Sequence, residues 1–185
     1  GKGGVGKTTI ALNLCASLSR LGFTTLLMDF NFTTPHIPIY LSSKPAFTLN
    51  DFTQNVADFY EILNPFSSFF YVSPSISLES IQTLEIEKIK ELKSKLNLFE
   101  FVVIDSAPGF GREALYSLDF VNEVIIVSIP TISSLFDSLK CKEMAERLNK
   151  RIVGIILNRY ENKSPLSPKD FENVFGLPVL GTVKE

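Results

Sequence analysis

Two kinds of hydrophobic pattern alternate along this chain. From residue 7 to residue 21 apolar side chains recur every three or four positions, which predicts an amphipathic helix that Gly22 ends. A similar spacing with interleaved Glu and Lys over residues 84–98 predicts a second helix with a solvated charged face. A third helix is predicted over about residues 134–149.

Short runs that are apolar throughout separate these helices. They cover residues 24–29, 69–72, 101–105, 123–129 and 152–157. Such runs, alternating with helices, are typical of parallel strands that are covered on both faces. Right-handed crossovers then give an α/β fold with a doubly wound, mostly parallel sheet, and its ligand lies at the carboxyl ends of the strands. Residues 30–50 contain three prolines and are predicted to form a loop with at most short helices.

Composition narrows the possible classes of protein. With 185 residues, 45% of them hydrophobic, we expect one domain over residues 1–185. The net charge of −2 does not favour binding to nucleic acid. Cys15 and Cys141 lie far apart and form no Cys-x-x-Cys pair, so free thiols in a reducing cytosol are expected rather than a zinc or iron–sulfur site. No apolar run reaches the roughly 18 residues of a membrane span.

The chain begins with the full phosphate-loop pattern G-x-x-x-x-G-K-[ST], formed by Gly1, Lys2, Gly3, Gly4, Val5, Gly6, Lys7 and Thr8. The glycines let backbone N–H groups turn toward phosphate oxygens, and the helix that starts at Lys7 directs its positive end at them. Lys7 supplies a charge for the β- and γ-phosphates, and the Thr8 hydroxyl is a ligand for Mg²⁺. The pattern predicts a site for a nucleoside triphosphate with Mg²⁺.

A phosphate loop normally follows a strand that holds its first glycine. We therefore expect about 5–10 further residues before Gly1 in the natural protein, the length of one ordinary strand. The last residues follow an apolar run, so we expect a domain that is truncated at both ends.

Two aspartates end predicted strands. Asp105 closes the run at 101–105, where the second magnesium-associated carboxylate of a P-loop fold belongs; a helix N-cap is the alternative. Asp29 closes the run at 24–29 and is expected at the same edge of the sheet, with a turn-forming role as the alternative.

A second lysine inside the loop makes the pattern more specific. Residues 2–9 (KGGVGKTT) resemble the deviant Walker A loop of the MinD/ParA family of ATPases. Residues 102–113 (VVIDSAPGFGRE) are similar to the second switch of that family, and residues 123–148 followed by 154–159 (GIILNR) resemble its archaeal MinD-like branch. The resemblance covers most of the chain and is weakest between residues 42 and 70.

The resemblance implies roles for single residues. Lys2 matches the signature lysine that reaches the nucleotide of the other subunit in a dimer, and the alternative is an exposed lysine. Lys7, Thr8 and Thr9 match the positions that hold phosphates and Mg²⁺, and Asp105 matches the aspartate of the second switch. Asn158, followed by Arg159, matches the position that contacts adenine, which favours ATP over GTP. The alternative for Asn158 is a turn residue at the end of a strand.

One departure from the family concerns the first switch, which usually contains Asp-x-Asp. Here Asn31 stands where the second carboxylate orients the attacking water, after Asp29 and Phe30. An amide carries no charge, so we expect slow hydrolysis or a protein that holds its nucleotide. The second switch has Ala107-Pro108 in place of the usual Pro-Ala.

The resemblance implies an ATP-hydrolysing switch that forms a homodimer with bound ATP and recruits an unidentified protein partner in cell division or spatial organisation. The main alternative is a nucleotide-holding scaffold. A ParA-like DNA-partitioning ATPase requires a basic surface, an iron–sulfur carrier requires paired cysteines, and an amidotransferase-type ligase requires a substrate pocket.

Membrane attachment in the family uses a C-terminal amphipathic helix, which lies outside this chain. We expect a cytoplasmic protein, peripheral at the inner membrane surface if such a helix follows.

Overall fold

The computed structural model describes residues 3–77 and 84–184 and divides into two compact units. The first unit is Thr8–Ala107, and the second combines Gly1–Lys7 with Pro108–Glu185. The chain crosses from one unit to the other at the Lys7–Thr8 peptide, inside the first turn of a helix, and again at the Ala107–Pro108 peptide. The prediction of one domain over residues 1–185 stays a prediction.

The first unit contains a four-stranded sheet, and helices lie in the segments that connect its strands. Its elements are α1 (Lys7–Arg20), β1 (Thr25–Phe30), α2 (Ile37–Tyr40), α3 (Leu49–Thr53), β2 (Asn64–Phe66), β3 (Phe69–Val72), α4 (Ile86–Ile89), a 3₁₀ helix (Lys90–Leu98) and β4 (Phe101–Ser106). The strand order is β2-β3-β1-β4, with β1 parallel to both β3 and β4. The β2–β3 hairpin is antiparallel and was not predicted in full, because β2 is only three residues long and contains a proline.

The core of the first unit lies on both faces of β1. Ala11 and Cys15 of α1 pack on one face with Leu27. Leu26 and Met28, which alternate with Leu27 along the strand, are also fully buried. Burying each such side chain contributes roughly 1.5–3 kcal/mol. This confirms that β1 is a strand covered on both sides.

The predicted helix at 84–98 has a different geometry from the one expected. Four residues, Ile86–Ile89, form an α-helix, and the next nine, Lys90–Leu98, form a 3₁₀ helix. Ile86, Ile89 and Leu92 recur every three positions, a spacing that a helix with three residues per turn keeps on one side as an α-helix does. Ile89 and Leu92 are fully buried.

A parallel sheet of three strands, in the order β5-β6-β7, forms the second unit. The elements are α5 (Arg112–Phe120), β5 (Glu123–Ser128), α6 (Ile132–Arg147), β6 (Arg151–Asn158), α7 (Pro168–Phe175) and β7 (Val179–Val183). The core joins Ile155 and Leu157 of β6 to Leu135 of α6 and to Phe171 and Phe175 of α7. The parallel strands and the helices that separate them confirm the predicted α/β class.

Gly154 marks a close approach between β6 and the chain that enters β7. A Cβ atom built at Gly154 would lie 2.6 Å from the carbonyl oxygen of Pro178 and 2.7 Å from Cγ of Leu180. The backbone of Gly154 has a φ of +159°. The strand therefore packs here only because residue 154 has no side chain.

β4 was predicted to be buried, yet most of its residues are only half-buried. It forms one edge of its four-stranded sheet, whereas β1 is paired on both sides.

Within residues 3–77 and 84–184, no helix combines the length and the apolar character needed to cross a bilayer.

Candidate nucleotide-binding site

The described part of the phosphate loop has the backbone that the sequence predicts. Gly4 and Gly6 have φ angles of +77° and +93°, in the left-handed region that favours glycine. Val5 between them is buried, and helix α1 begins at Lys7. Gly1 and the signature lysine, Lys2, lie outside the described residues, so their predicted roles stay predictions.

Asn158 lies at the carboxyl end of β6 and contacts the phosphate loop. Its Nδ2 donates a 2.9 Å hydrogen bond to the carbonyl oxygen of Val5. A Cβ atom at Gly6 would overlap Nδ2 of Asn158 and would lie 3.3 Å from its Cγ. The side chain is thus packed against the loop, a contact that the turn-residue alternative does not account for. Arg159 follows with a left-handed backbone, φ +55°, and an exposed side chain.

Thr8 and Asp105 form a pair in the first unit. The Thr8 hydroxyl donates a 2.6 Å hydrogen bond to Oδ2 of Asp105. A hydroxyl and a carboxylate are the hard oxygen ligands that Mg²⁺ prefers, so this donor set fits the ion. Asp105 is buried and lies within β4, one residue before the strand ends, which the helix N-cap alternative does not describe. Thr9 is exposed, and its carbonyl oxygen accepts a 2.8 Å hydrogen bond from Asn13.

Asp29 is the register partner of Asp105 in the parallel pairing of β1 with β4. The two aspartates therefore reach the same edge of the sheet, as expected. Oδ1 of Asp29 accepts the N–H of Asn31 at 3.0 Å, and Oδ2 accepts those of His36 and Ile37 at 2.9 and 3.1 Å. These hydrogen bonds hold the segment that follows β1.

Burial raises the pKa of Asp29 to about 7. The three backbone N–H groups favour the charged carboxylate and oppose this shift, while the negative charge of Asp105 adds to it. Removal of the carboxyl group from water changes the pKa more than the three hydrogen bonds do, because the side chain is fully buried.

Asn31 is buried and hydrogen-bonded within its own segment. Its Oδ1 accepts the Thr34 hydroxyl at 3.1 Å, and its Nδ2 lies 3.3 Å from Nδ1 of His36, to which it donates when the ring proton is on Nε2. His36 and Thr34 were not predicted to belong to the site. Both residues lie within five positions of Asn31 in sequence, and no hydrophobic periodicity in this segment points to their side chains.

The second-switch segment approaches the phosphate loop inside the second unit. A Cβ atom at Gly3 would lie 3.8 Å from Cβ of Pro108, an ordinary contact distance. Pro108, the second residue of the reversed pair, therefore lies next to the loop.

Nearly the whole chain matches one family of proteins. The model of the ParA family, described as NUBPL iron-transfer P-loop NTPase, matches residues 1–178. An uncharacterized ATP-binding protein of Methanocaldococcus jannaschii is 35% identical over 190 residues, which cover 100% of this chain and 72% of that protein.

Two solved structures have a very similar fold. The cell division ATPase MinD of Pyrococcus furiosus has a TM-score of 0.92 and 27% identity, covering 100% of this chain and 80% of that one. The septum site-determining protein MinD of Pyrococcus horikoshii, solved in complex with Mg-ADP, also has a TM-score of 0.92 and 27% identity, covering 100% and 78%. These similarities confirm the predicted P-loop fold and the resemblance to archaeal MinD-like proteins.

Proposed function

The chain belongs to the ParA family of P-loop NTPases, and from this premise we propose that it is an ATP-hydrolysing switch that dimerises around bound ATP and Mg²⁺. ATP and Mg²⁺ are the nucleotide and the ion that this family uses, and the Pyrococcus horikoshii relative was solved with Mg-ADP. The proposal is carried by one observation, the 2.6 Å hydrogen bond between Thr8 and Asp105. It places the hydroxyl of Thr8, the residue that follows Lys7 in sequence, beside a buried carboxylate.

Each residue has a physical task in this proposal. The N–H groups of the loop and the ammonium group of Lys7 bind the β- and γ-phosphates. Thr8 and Asp105 would hold Mg²⁺, which offsets phosphate charge when it is bound. Asp29 keeps the first switch segment in place through its three backbone hydrogen bonds.

The proposed dimer uses Lys2 in trans. A lysine from one subunit would offset negative charge on the nucleotide of the other, as an arginine finger does. Loss of the γ-phosphate then releases the switches and loosens the dimer. The output is the recruitment or release of an unidentified protein partner from the cytoplasm, with a peripheral membrane position if an anchoring segment accompanies this chain.

A nucleotide-holding scaffold is the second candidate, and Asn31 favours it. The amide of Asn31 is already engaged by Thr34 and His36 and carries no charge with which to orient water. A DNA-partitioning role is less well supported, because the net charge of −2 supplies no general attraction for DNA.

ATP turnover and oligomeric state, measured together with and without Mg²⁺, test the proposal. The native protein should dimerise with ATP and hydrolyse it, whereas Lys2→Ala should keep nucleotide binding and lose turnover by about a thousandfold or more. Lys163→Ala, which changes an exposed lysine in a turn, is the matched control and should turn over ATP at the native rate.

Three results would lead to different conclusions. A native protein that binds ATP but stays monomeric and inert is a scaffold. Equal turnover in the Lys2→Ala and Lys163→Ala variants would refute the trans-acting lysine. Absence of nucleotide binding would refute the proposed function as a whole.

A further inference from the structure

A carbonyl group of the phosphate loop is held by a side chain 153 positions away in sequence. Asn158 and Val5 are both buried, and the 2.9 Å hydrogen bond joins Nδ2 of Asn158 to the carbonyl oxygen of Val5. Because a carbonyl oxygen only accepts hydrogen bonds, the NH₂ of the carboxamide must face it. The orientation of the Asn158 side chain is thereby determined.

Gly6 allows the loop to come this close to Asn158. A methyl group at Gly6 would overlap Nδ2 of Asn158, whereas a methyl group at Gly4 would meet no atom within 4 Å. Both glycines have positive φ angles, so they share the conformational demand, and among the described residues they differ in this contact. Val5 and Gly6 therefore lie directly against the carboxamide.

The strand that carries Asn158 is well anchored. β6 is the central strand of its sheet, and Asn158 is the register partner of Val183 in β7. The N–H of Tyr160 then donates a 2.9 Å hydrogen bond to the carbonyl oxygen of Val183. A side chain on a central strand has a better-defined position than a side chain on a loop, so it positions its hydrogen-bond partner more precisely.

We propose that Asn158 is a positioning residue of the phosphate loop. Acting through the Val5 carbonyl, it presets the backbone N–H groups of the loop for phosphate, so that less ordering is needed when a ligand binds. The effect on affinity rests on the proposed function, and it extends to any magnesium polyphosphate, including one without a base.

Binding of Mg-ADP and of magnesium pyrophosphate, measured by calorimetry, tests this role. Asn158→Asp keeps the shape but turns an acceptor toward the Val5 carbonyl, so both affinities should fall by a similar factor of about ten or more. A loss for Mg-ADP with unchanged pyrophosphate binding would show that Asn158 acts on the base alone, and the proposal would be overturned.

A double-mutant cycle tests the contact itself. Gly6→Ala should weaken pyrophosphate binding more than Gly4→Ala, because only the former methyl group meets Asn158. In an Asn158→Ala background this excess should disappear, leaving the cost of the positive φ alone. If the excess persists, the contact with Asn158 is not its cause and the proposal is wrong.

A measurement without ligand separates this inference from the proposed function. In the native protein, the side-chain NH₂ of Asn158 should exchange with solvent far more slowly in NMR spectra than that of exposed Asn97. A protein that binds neither ligand but protects this amide would refute nucleotide binding while keeping the loop contact. Equally fast exchange of the two amides would overturn the contact.

Discussion

At the scale of single residues, Asp29 combines full burial with three backbone hydrogen bonds. Burial raises the pKa of Asp29 to about 7, whereas in the unfolded chain the same group ionises near its ordinary value of about 4. Between these two values the native protein keeps a proton that the unfolded chain has released. The unfolded state then binds fewer protons, so the free energy of unfolding must fall as pH rises through that window.

We therefore expect Asp29 to lower native stability between about pH 4 and about pH 7, by an amount on the order of 4 kcal/mol. Denaturant titrations at several pH values should show this slope, and Asp29→Asn should flatten it. An unchanged slope in Asp29→Asn would contradict the prediction.

Asp170 provides a control of opposite sign. Hydrogen bonds from the Ser167 hydroxyl and backbone N–H hold the pKa of Asp170 below its ordinary value. Its stabilising contribution is present above the unfolded pKa and is lost as pH falls. Asp170→Asn should therefore leave the decrease between pH 4 and pH 7 in place.

The buried amide at Asn31 leads to a second prediction at this scale. Asn31→Asp restores a carboxylate that keeps the hydrogen bond from Thr34 and gains an acceptor for the ring N–H of His36. Single-turnover hydrolysis of ATP should be faster in this variant by about tenfold or more, the lower end of what a positioned catalytic group contributes. Asn31→Ser is the uncharged control. Equal rates for the native protein and Asn31→Asp would show that the missing charge does not limit hydrolysis.

Residue identities in the site could be predicted only where a motif fixes both type and spacing. Thr8 and Asp105 could be assigned to one site in advance, because a phosphate loop and a strand end have fixed positions in this fold, and the two side chains share a hydrogen bond. The hydrogen bonds of Asp29 to His36 and Ile37 could not be predicted. They depend on how an irregular segment closes on itself, and no periodicity encodes that.

At the scale of elements, the close approach at Gly154 determines how β6 and β7 fit together. Gly154→Ala places a methyl group against the Pro178 carbonyl and Leu180 and should lower the free energy of unfolding by about 1–3 kcal/mol. Gly181→Ala in β7 meets no atom of the part of the chain that the structure describes within 4 Å and should change that free energy by less than about 0.5 kcal/mol. Urea titrations of both variants check this, and equal losses would contradict it.

The strands were easier to predict than the helices. β3 occurs at the predicted residues, and β1, β5 and β6 begin and end within one residue of prediction, because runs without alternation identify covered strands. Helix α7 was missed, although Ser167 and Asp170 form a capping box and Pro168 lies in the first turn. These residues are not apolar, so the spacing of apolar residues does not reveal the start of this helix.

At the scale of the whole molecule, the α/β class followed from the order of apolar runs and helices. The division into two compact units could not be predicted in this way, because hydrophobic periodicity indicates which residues are buried and not which of them pack together. The second unit is assembled from Gly1–Lys7 and from Pro108–Glu185, two stretches separated by all of the first unit. Long-range assembly of this kind is slow compared with local folding.

The hydrogen bond between Asn158 and Val5 has a consequence for how the protein is made. A ribosome adds about 5–20 residues per second, so the 153 positions between the two residues correspond to roughly 8–30 s of synthesis. Throughout that interval the phosphate loop has emerged without the carboxamide that holds it. If Asn158 has the proposed positioning role, a nascent chain binds cellular ATP poorly until the strand that carries Asn158 has been synthesised.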